Sequence, residues 1–205
     1  MNTQTGITTI FTDVGGVLLT NGWGRSNRKK AVEIFNLDPI ETEERHHLTF
    51  DTYEVGKLSL DEYLGRVIFY KERTFSVNDF SGFMFEQSQP YPEMIDLMSS
   101  LKKKYNLKIA VVNNEGRELN DYRIKKFKLD SFVDFFISSS FVHFRKPDAD
   151  IFKLALDVAQ VPVNEIVYID DRPLFVQVAE GLGLKGIVHT DVESTVEKLK
   201  ILGLE

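Results

Sequence analysis

Three carboxylates stand directly after two apolar runs of the sequence, at positions where a metal ion could bind. Asp13 follows the run Ile7–Phe11, and the adjacent pair Asp170 and Asp171 follows Ile166–Ile169. Neighbouring carboxylates repel each other unless a cation holds them together. Carboxylate oxygens are also the ligands that Mg²⁺ prefers. These residues therefore predict a magnesium site, if the fold brings the two runs side by side.

Hydrogen-bond donors follow the other apolar runs. Asn113 and Asn114 end the run Lys108–Val112, and Arg145 and Lys146 precede a proline beyond the next run. Alone, each group has an ordinary explanation, since an Asn pair is common in loops and Lys-Pro often precedes a helix. Together with the carboxylates they form a set that could hold a phosphoryl group beside a metal ion.

The elements that would position these side chains are short strands. Five runs rich in β-branched and aromatic residues predict strands. They do not alternate between apolar and polar residues, which is typical of strands buried on both faces of a parallel sheet. Ligands of such sheets bind at the carboxyl ends of the strands, where the polar groups lie. The five runs are Ile7–Phe11, Lys108–Val112, Val133–Ile137, Ile166–Ile169 and Lys185–Val188.

Helical segments separate the later strands. Pro92–Tyr105 carries apolar residues on one face, and Asp148 and Asp191 are suited to cap two further helices. Pro173 stands where a first helical turn would begin. The alternation of strand and helix predicts an α/β fold, a three-layer, doubly wound parallel sheet.

Residues 18–88 interrupt this alternation. They show helix signals but no convincing strand, with Asp38-Pro39 before one segment and a capping box at Ser59–Glu62 before another. We expect a small α-helical cap at 18–88, inserted after the first strand, and a core at 1–17 and 89–205. The aromatic residues of the insertion would form its own packing core: Phe50, Tyr53, Tyr63, Phe69, Phe75, Phe80, Phe83 and Phe85.

Four ordered segments resemble the motifs of the haloacid dehalogenase (HAD) superfamily. Phe11–Leu18 (FTDVGGVL) is similar to the first motif, and Val111–Asn114 (VVNN) falls at the second. Arg145–Phe152 (RKPDADIF) resembles the third motif, and Val167–Arg172 (VYIDDR) resembles the fourth. The resemblance covers nearly the whole predicted core and is closest to the subfamily with a helical C1-type cap. It implies a HAD Rossmann-like fold.

The resemblance also implies a role for each site residue. Asp13 would attack phosphorus and form an aspartyl-phosphate, and Lys146 would neutralise charge on the nucleophile and the phosphoryl group. Mg²⁺ would be bound by Asp13, the backbone carbonyl of Gly15, Asp170 and Asp171. The phosphoryl oxygens would accept hydrogen bonds from the second motif and from the backbone after the nucleophile; these phosphate-binding residues are Asn113, Asn114, Gly15, Gly16 and Lys146.

The implied activity is Mg²⁺-dependent hydrolysis of a small phosphorylated metabolite. Two positions depart from the common family pattern: Gly15 stands where many relatives carry a second Asp as general acid and base, and Asn113 replaces Ser or Thr. These departures keep open a catalytically impaired protein with a binding or regulatory role. Dehalogenation is a further alternative, but that chemistry needs no Mg²⁺, and Asp170-Asp171 beside Asp13 argues against it.

Several other residues have types that could serve in a site. Trp23 and Arg25 follow the first motif and would either set substrate specificity or form a hinge with an anchoring Trp. His46-His47 predicts an exposed polar helix rather than a metal site. His143 and His189 lie near strand ends at the expected site, where a turn position is favoured over a contact with the substrate. The segment Gly181–Gly186 matches G-x-G-x-x-G, but it lies after a helix and before a strand, the reverse of a dinucleotide site.

Composition narrows the classes of protein. The 205 residues carry a formal net charge of -6, without a long basic run, so nucleic acid is not expected as a partner. No apolar stretch approaches the roughly 20 residues of a membrane helix, so no membrane association is expected. The absence of cysteine and of a signal-like N-terminus favours a cytoplasmic protein. Either a monomer or a homodimer is compatible with the sequence.

Overall fold

A parallel sheet of five strands forms the centre of the molecule. The computed structural model describes residues 6–205; the N-terminal segment whose sequence lacks a signal pattern lies mostly outside them. The strand order is β3-β2-β1-β4-β5, and every pairing is parallel. The strands are β1 (Thr9–Thr12), β2 (Lys108–Asn113), β3 (Phe135–Ser138), β4 (Ile166–Asp170) and β5 (Lys185–Val188).

Ten α-helices alternate with these strands or follow the first one, within residues 6–205. The first four all lie between β1 and β2: α1 (Arg25–Ile34), α2 (Pro39–Glu54), α3 (Leu60–Val67) and α4 (Val77–Glu86). The others are α5 (Pro92–Tyr105), α6 (Arg117–Lys126), α7 (Ser139–Val142), α8 (Ala149–Ala159), α9 (Pro173–Gly181) and α10 (Val192–Ile201). The prediction of a doubly wound α/β fold with helices inserted after the first strand is confirmed.

Helices cover both faces of the sheet, which makes the core three-layered. On one face, Met94 and Met98 of α5 and Leu199 of α10 pack against Ile10 and neighbouring strand residues. On the other face, α8 and α9 pack against a second set of strand side chains. Because both faces are buried, the strands have no polar alternation, as the sequence predicted.

The predicted helix starts are confirmed by hydrogen bonds. The Asp38 carboxylate accepts from the backbone of Glu41 at 2.8 Å, and the capping box at Ser59 is formed with Glu62. Asp148 and Asp191 cap α8 and α10 through their side chains. These caps satisfy backbone N–H groups that helices leave without partners in their first turn.

Two strands were predicted to begin two residues too early, and one of them, β1, begins at Thr9 rather than Ile7. β3 begins at Phe135 rather than Val133, because Val133 closes a helical turn onto Leu129 and Asp134 accepts a hydrogen bond from Ile109 N at 2.8 Å. The other strand predictions differ from the observed bounds by no more than two residues at either end.

The inserted helices pack around aromatic side chains, as predicted. We call this group the aromatic cluster; it includes Trp23, Tyr53, Tyr63 and Phe80, which are buried, and all the aromatic residues predicted for it. The two connections to the core run side by side, since Thr20 N donates to Gln89 O at 2.8 Å. The division of the chain at residues 18 and 88 stays a prediction.

Candidate active site

Three carboxylates meet where β1 and β4 end. The two strands are neighbours, with Thr12 paired to Ile169, so Asp13 and Asp170 leave the sheet side by side. One oxygen from each of Asp13, Asp170 and Asp171 lies within 4.8 Å of the others. The sheet order, in which β1 is central, creates the cluster that the sequence could only anticipate.

A buried lysine neutralises much of this charge. The Nζ of Lys146 lies 2.6 Å from Asp170 Oδ2 and 3.2 Å from Asp13 Oδ1. It also donates to the Tyr168 hydroxyl at 3.1 Å. The side chains of Lys146 and Asp170 are fully buried, so their attraction is weakly screened by water. Lys146 is therefore fixed beside the candidate nucleophile.

Burial changes the protonation of these groups. It raises the pKa of Asp13 to about 7, although the Lys146 charge opposes the shift. Burial alone would lower the pKa of Lys146, but the charges of Asp13 and Asp170 outweigh it and raise that pKa. The lysine therefore stays a cation, whereas a second cation near Asp13 would favour its ionised form.

Asp171 has the free oxygen that a metal ion needs. Its Oδ1 is buried without a hydrogen-bond partner, and burial together with Asp170 raises its pKa. A buried carboxylate oxygen without a partner is costly. A hard cation would satisfy Asp171 Oδ1 and also Asp13, because carboxylate oxygens suit Mg²⁺. The residues present therefore fit this ion. Asp170 has less to offer, since its oxygens already bind Lys146, Tyr168 and the backbone N–H of Arg172.

The two asparagines after β2 have different surroundings. Asn114 exchanges two hydrogen bonds with the Lys146 backbone, both of 2.8 Å, and so holds the lysine in place. Asn113 is buried, and its Nδ2 donates to Asn120 Oδ1 at 3.1 Å, while its Oδ1 has no partner. The role of both residues as phosphate ligands stays a prediction.

The two glycines after Asp13 leave no room for side chains. A Cβ at Gly16 would overlap the Asp171 carboxylate, and its φ of 80° lies in the left-handed region that favours glycine. At Gly15 a Cβ would meet Asn21 Oδ1 at 2.9 Å and Arg123 Nη1 at 3.9 Å. Asn21 and Arg123 therefore occupy the space beside Gly15.

A cavity of about 340 Å³ opens beside Asp13. Its walls include Asp13, Gly15, Asn114 and Lys146 from the strand ends, and Trp23 and Arg25 from the start of the insertion. Trp23 is buried, and its Nε1 donates to the Tyr63 hydroxyl at 2.9 Å, while Arg25 is exposed. The structure thus places both residues at the cavity, and their role in specificity stays a prediction.

Sequence reasoning missed several charged or polar residues of this site. Tyr168 lies two residues before Asp170, on the same face of β4, and its hydroxyl contacts the Asp170 carboxylate. That spacing was the signal that could have found it. Two ion pairs, Arg145 with Glu54 and Arg123 with Glu115, also line the cavity. Their partners lie far apart in the sequence or on different elements, so no local pattern reveals them.

The histidine predictions need one correction. His46 is buried rather than exposed, because its helix packs on the aromatic cluster, where His46 Nδ1 lies 2.8 Å from the Tyr63 hydroxyl. Burial lowers its pKa to about 4, so it is neutral. His143 Nδ1 lies 2.7 Å from the Val55 carbonyl oxygen and His189 Nδ1 lies 2.7 Å from Thr195 Oγ1, which agrees with structural positions.

Comparison with known proteins identifies the family. The family model "haloacid dehalogenase-like hydrolase" matches residues 7–183, which include all four motif segments. The chain belongs to the haloacid dehalogenase-like hydrolases. The match spans β1, the inserted helices and the strand-end carboxylates, so the HAD resemblance is confirmed.

Two curated proteins match parts of this HAD hydrolase. "Bifunctional epoxide hydrolase 2" from Sus scrofa is 29% identical over 136 residues, which are 64% of this chain and 24% of that protein. The "putative pyrophosphatase PpaX" from Caldanaerobacter subterraneus is 27% identical over 92 residues, 45% of this chain and 41% of that protein. The chain thus spans about a quarter of the epoxide hydrolase.

Solved structures show the same fold. A HAD family enzyme from Bacteroides thetaiotaomicron, in complex with magnesium and inorganic phosphate, has a TM-score of 0.75 at 21% identity, covering 90% of this chain and 94% of that one. A predicted HAD-like family hydrolase from Porphyromonas gingivalis has a TM-score of 0.77 at 22% identity, covering 97% and 98%. At such identities the likeness shows the fold alone.

None of the helices described between residues 6 and 205 is long and apolar enough to cross a membrane.

Proposed function

We propose that this HAD hydrolase is a Mg²⁺-dependent phosphatase that acts on a small phosphorylated metabolite through an aspartyl-phosphate on Asp13. The observation that carries the proposal is the buried cluster at the strand ends. In it, a carboxylate with a raised pKa, a fixed lysine and a carboxylate oxygen without a partner lie within one small volume. A relative of the same fold was solved with magnesium and inorganic phosphate, which supports this chemistry.

Asp13 would act as the nucleophile because it is the carboxylate that both lines the cavity and contacts Lys146. Lys146 would hold the charge of Asp13 and of the incoming phosphoryl group in a fixed place, which is more effective than a mobile cation. Asn114 would act indirectly, since its side chain orients the Lys146 backbone.

Asp13, Asp171 and the Gly15 carbonyl would hold Mg²⁺, with Asp170 supporting it. When bound, Mg²⁺ supplies the positive charge that offsets repulsion between an anionic nucleophile and an anionic substrate. The backbone N–H groups near Gly15 and Gly16 and the amide of Asn113 would donate hydrogen bonds to the phosphoryl oxygens. A glycine at each position would let the backbone come close to these oxygens, because glycine has no Cβ.

A binding or regulatory protein without turnover is the second candidate, and one observation favours it. Gly15 has no side chain that could serve as general acid and base, and a Cβ at that position would meet Asn21 Oδ1 at 2.9 Å. We expect substrates with good leaving groups to be affected least by the lack of a general acid and base.

We also propose that the protein is cytoplasmic, is a monomer or a homodimer, and has neither nucleic-acid nor membrane partners.

The experiment that tests the phosphatase is release of inorganic phosphate from a panel of phosphorylated metabolites and p-nitrophenyl phosphate, with and without Mg²⁺. Turnover that needs Mg²⁺ and falls by at least about 10³-fold in Asp13→Asn supports the proposal. Asp96→Asn is the matched control, because Asp96 is exposed on α5 and lies outside the site. A folded wild-type protein that binds Mg²⁺ and releases no phosphate would favour the binding role instead.

A further inference from the structure

The cavity beside Asp13 carries more positive charge than one phosphoryl group requires. Of the charged residues that line it, six are cationic and three are anionic. The cationic residues come from the inserted helices, the strand ends and α6. They are Arg25, Arg28, Arg123, Arg145, Lys146 and Arg172; the anionic residues are Asp13, Glu54 and Glu115.

Four of these cations are held by carboxylates. Lys146 contacts Asp13 and Asp170, and the other three form ion pairs with acidic residues of the inserted helices or of the loop after β2. Burial raises the pKa of Glu54 to about 7 against the opposing charge of Arg145, so Glu54 is only partly ionised near neutral pH. The pairs are Arg28–Glu43, Arg123–Glu115, and Arg145 with Asp51 and Glu54.

The remaining two cations, Arg25 and Arg172, have no carboxylate within ion-pair distance among residues 6–205. Both are exposed, and they come from different parts of the fold, Arg25 from the start of α1 and Arg172 from the turn after β4. Both also line the same cavity as the nucleophile. A ligand in the cavity would therefore find two guanidinium groups that no carboxylate holds.

From these observations we infer that the substrate carries a second anionic group, a carboxylate or a second phosphate, besides the phosphoryl group that is transferred. This inference rests on the proposed function for the transferred group, which Asp13 and Lys146 would hold. Arg25 and Arg172 would bind the second anion at the mouth of the cavity. Guanidinium groups suit carboxylates and phosphates equally, because both present two oxygens to paired N–H groups.

The test is binding, measured by calorimetry in the Asp13→Asn background with Mg²⁺, so that no turnover is needed. Two matched pairs of ligands separate the sources of the second anion. 3-Phosphoglycerate is compared with glycerol 3-phosphate for a carboxylate, and inorganic pyrophosphate is compared with methyl phosphate for a second phosphate. We expect at least one two-anion ligand to bind about tenfold or more tightly than its partner.

Arg25→Gln and Arg172→Gln test whether these two arginines bind the second anion. Each substitution should reduce the ratio of the two affinities about three- to tenfold. The loss lies between that of an exposed charged pair and that of a buried charged pair. Lys29→Gln is the matched control, because Lys29 lies exposed on α1 and does not line the cavity. It removes the same charge from the same helix and should leave the ratio unchanged. Thermal unfolding of each variant checks that the fold is intact.

The outcomes separate this inference from the proposed function. Equal affinities within both pairs, or a ratio that Lys29→Gln lowers as much as Arg25→Gln does, would overturn the inference even if the wild type releases phosphate. A clear preference that both arginine variants reduce would support it even if the wild type shows no turnover, in which case the phosphatase proposal fails by itself. The pair of ligands that shows the preference identifies the second anion as a carboxylate or a phosphate.

Discussion

The strand-end site and the aromatic cluster are both buried, but they are built in opposite ways. Around Asp13, charged groups are buried with incomplete compensation, and atoms such as Asp171 Oδ1 have no partner. In the aromatic cluster the bulk is hydrocarbon. Its Tyr63 hydroxyl accepts from Trp23 Nε1 and lies 2.8 Å from His46 Nδ1, and its one buried side-chain atom without a partner is the neutral Tyr53 hydroxyl.

This difference indicates which region carries function and which carries stability. Burying charge costs free energy unless it is paired, whereas burying aromatic rings contributes favourably. The unfavourable free energy of burying charge around Asp13 arises at the edge of the sheet where the four motifs meet and the cavity opens. The aromatic cluster, by contrast, supports the wall of that cavity through Trp23, which belongs to both.

The largest effect is expected when Lys146 is replaced. Lys146→Met would leave Asp13 and Asp170 buried without their cation, which typically costs about 3–5 kcal/mol. Urea unfolding would measure this loss, and added Mg²⁺ should recover part of it by supplying positive charge. The matched control is Lys153→Met, because Lys153 forms an exposed pair with Asp150, and such pairs contribute about 0–1 kcal/mol. Equal losses of unfolding free energy in the two variants would mean that Lys146 does not compensate the buried charges of Asp13 and Asp170.

A smaller but clear loss is expected where the core meets the aromatic cluster. A Cβ at Gly116 would overlap the ring of Tyr53, which stacks on Tyr63 with ring centroids 5.0 Å apart. Gly116→Ala should therefore destabilise the protein by about 1–3 kcal/mol, the usual cost of overpacking. Gly82 lies in α4 with open space around its Cα, so Gly82→Ala should be neutral or stabilising by up to about 1 kcal/mol. Thermal or urea unfolding compares the two.

Removal of one hydroxyl tests the hydrogen bonds inside the aromatic cluster. Tyr63→Phe keeps the ring but deprives Trp23 Nε1 and His46 Nδ1 of their partner, and we expect a loss of about 1–2 kcal/mol. Mg²⁺ affinity, measured by calorimetry, should not change, since the cluster and the carboxylates are separate. A large change in Mg²⁺ affinity without loss of stability would contradict the division of roles between the two regions.

The smallest effect concerns pH and Glu54. Its pKa of about 7 in the folded protein lies above the ordinary value of 4.5, so between these values the folded state binds more protons than the unfolded state. The contribution of Glu54 to stability is then greatest at low pH and falls as pH rises towards 7. Glu54→Gln should remove a fall on the order of 1 kcal/mol between about pH 4.5 and 7.

Asp51→Asn is the control for this pH effect, because Asp51 pairs with the same Arg145 while its side chain is 72% exposed. It should leave the pH dependence of the unfolding free energy as in the wild type. If Asp51→Asn flattens the curve and Glu54→Gln does not, burial of Glu54 is not the cause.

The sequence was sufficient to predict the sheet and the convergence at its edge. Uninterrupted apolar runs followed by Asp13, Asn113 and Asp170 carry this information locally, because parallel strands end at the same side. β3 was misplaced because Val133 favours a strand and stands next to the strand-like run that follows. In the structure Val133 closes a helical turn, and Asp134 accepts a hydrogen bond from β2.

What the sequence did not reveal depends on contacts between distant elements. His46 looked exposed because its helix is polar overall, and only packing against Tyr63 buries it. The pairing of Arg145 with Glu54, and the filling of the space beside Gly15 by Asn21 and Arg123, likewise join segments far apart in the chain. No periodicity or motif encodes the geometry of such contacts.

The most direct test of the central claim is to look for the covalent intermediate itself. The wild-type protein would be mixed with Mg²⁺ and a turned-over phosphate ester, quenched in acid and digested, and the peptides analysed by mass spectrometry. The account predicts a phosphorylated peptide with the modification on Asp13, which is lost when Mg²⁺ is omitted. Phosphate release without any label on Asp13, or a label on another carboxylate, would contradict it.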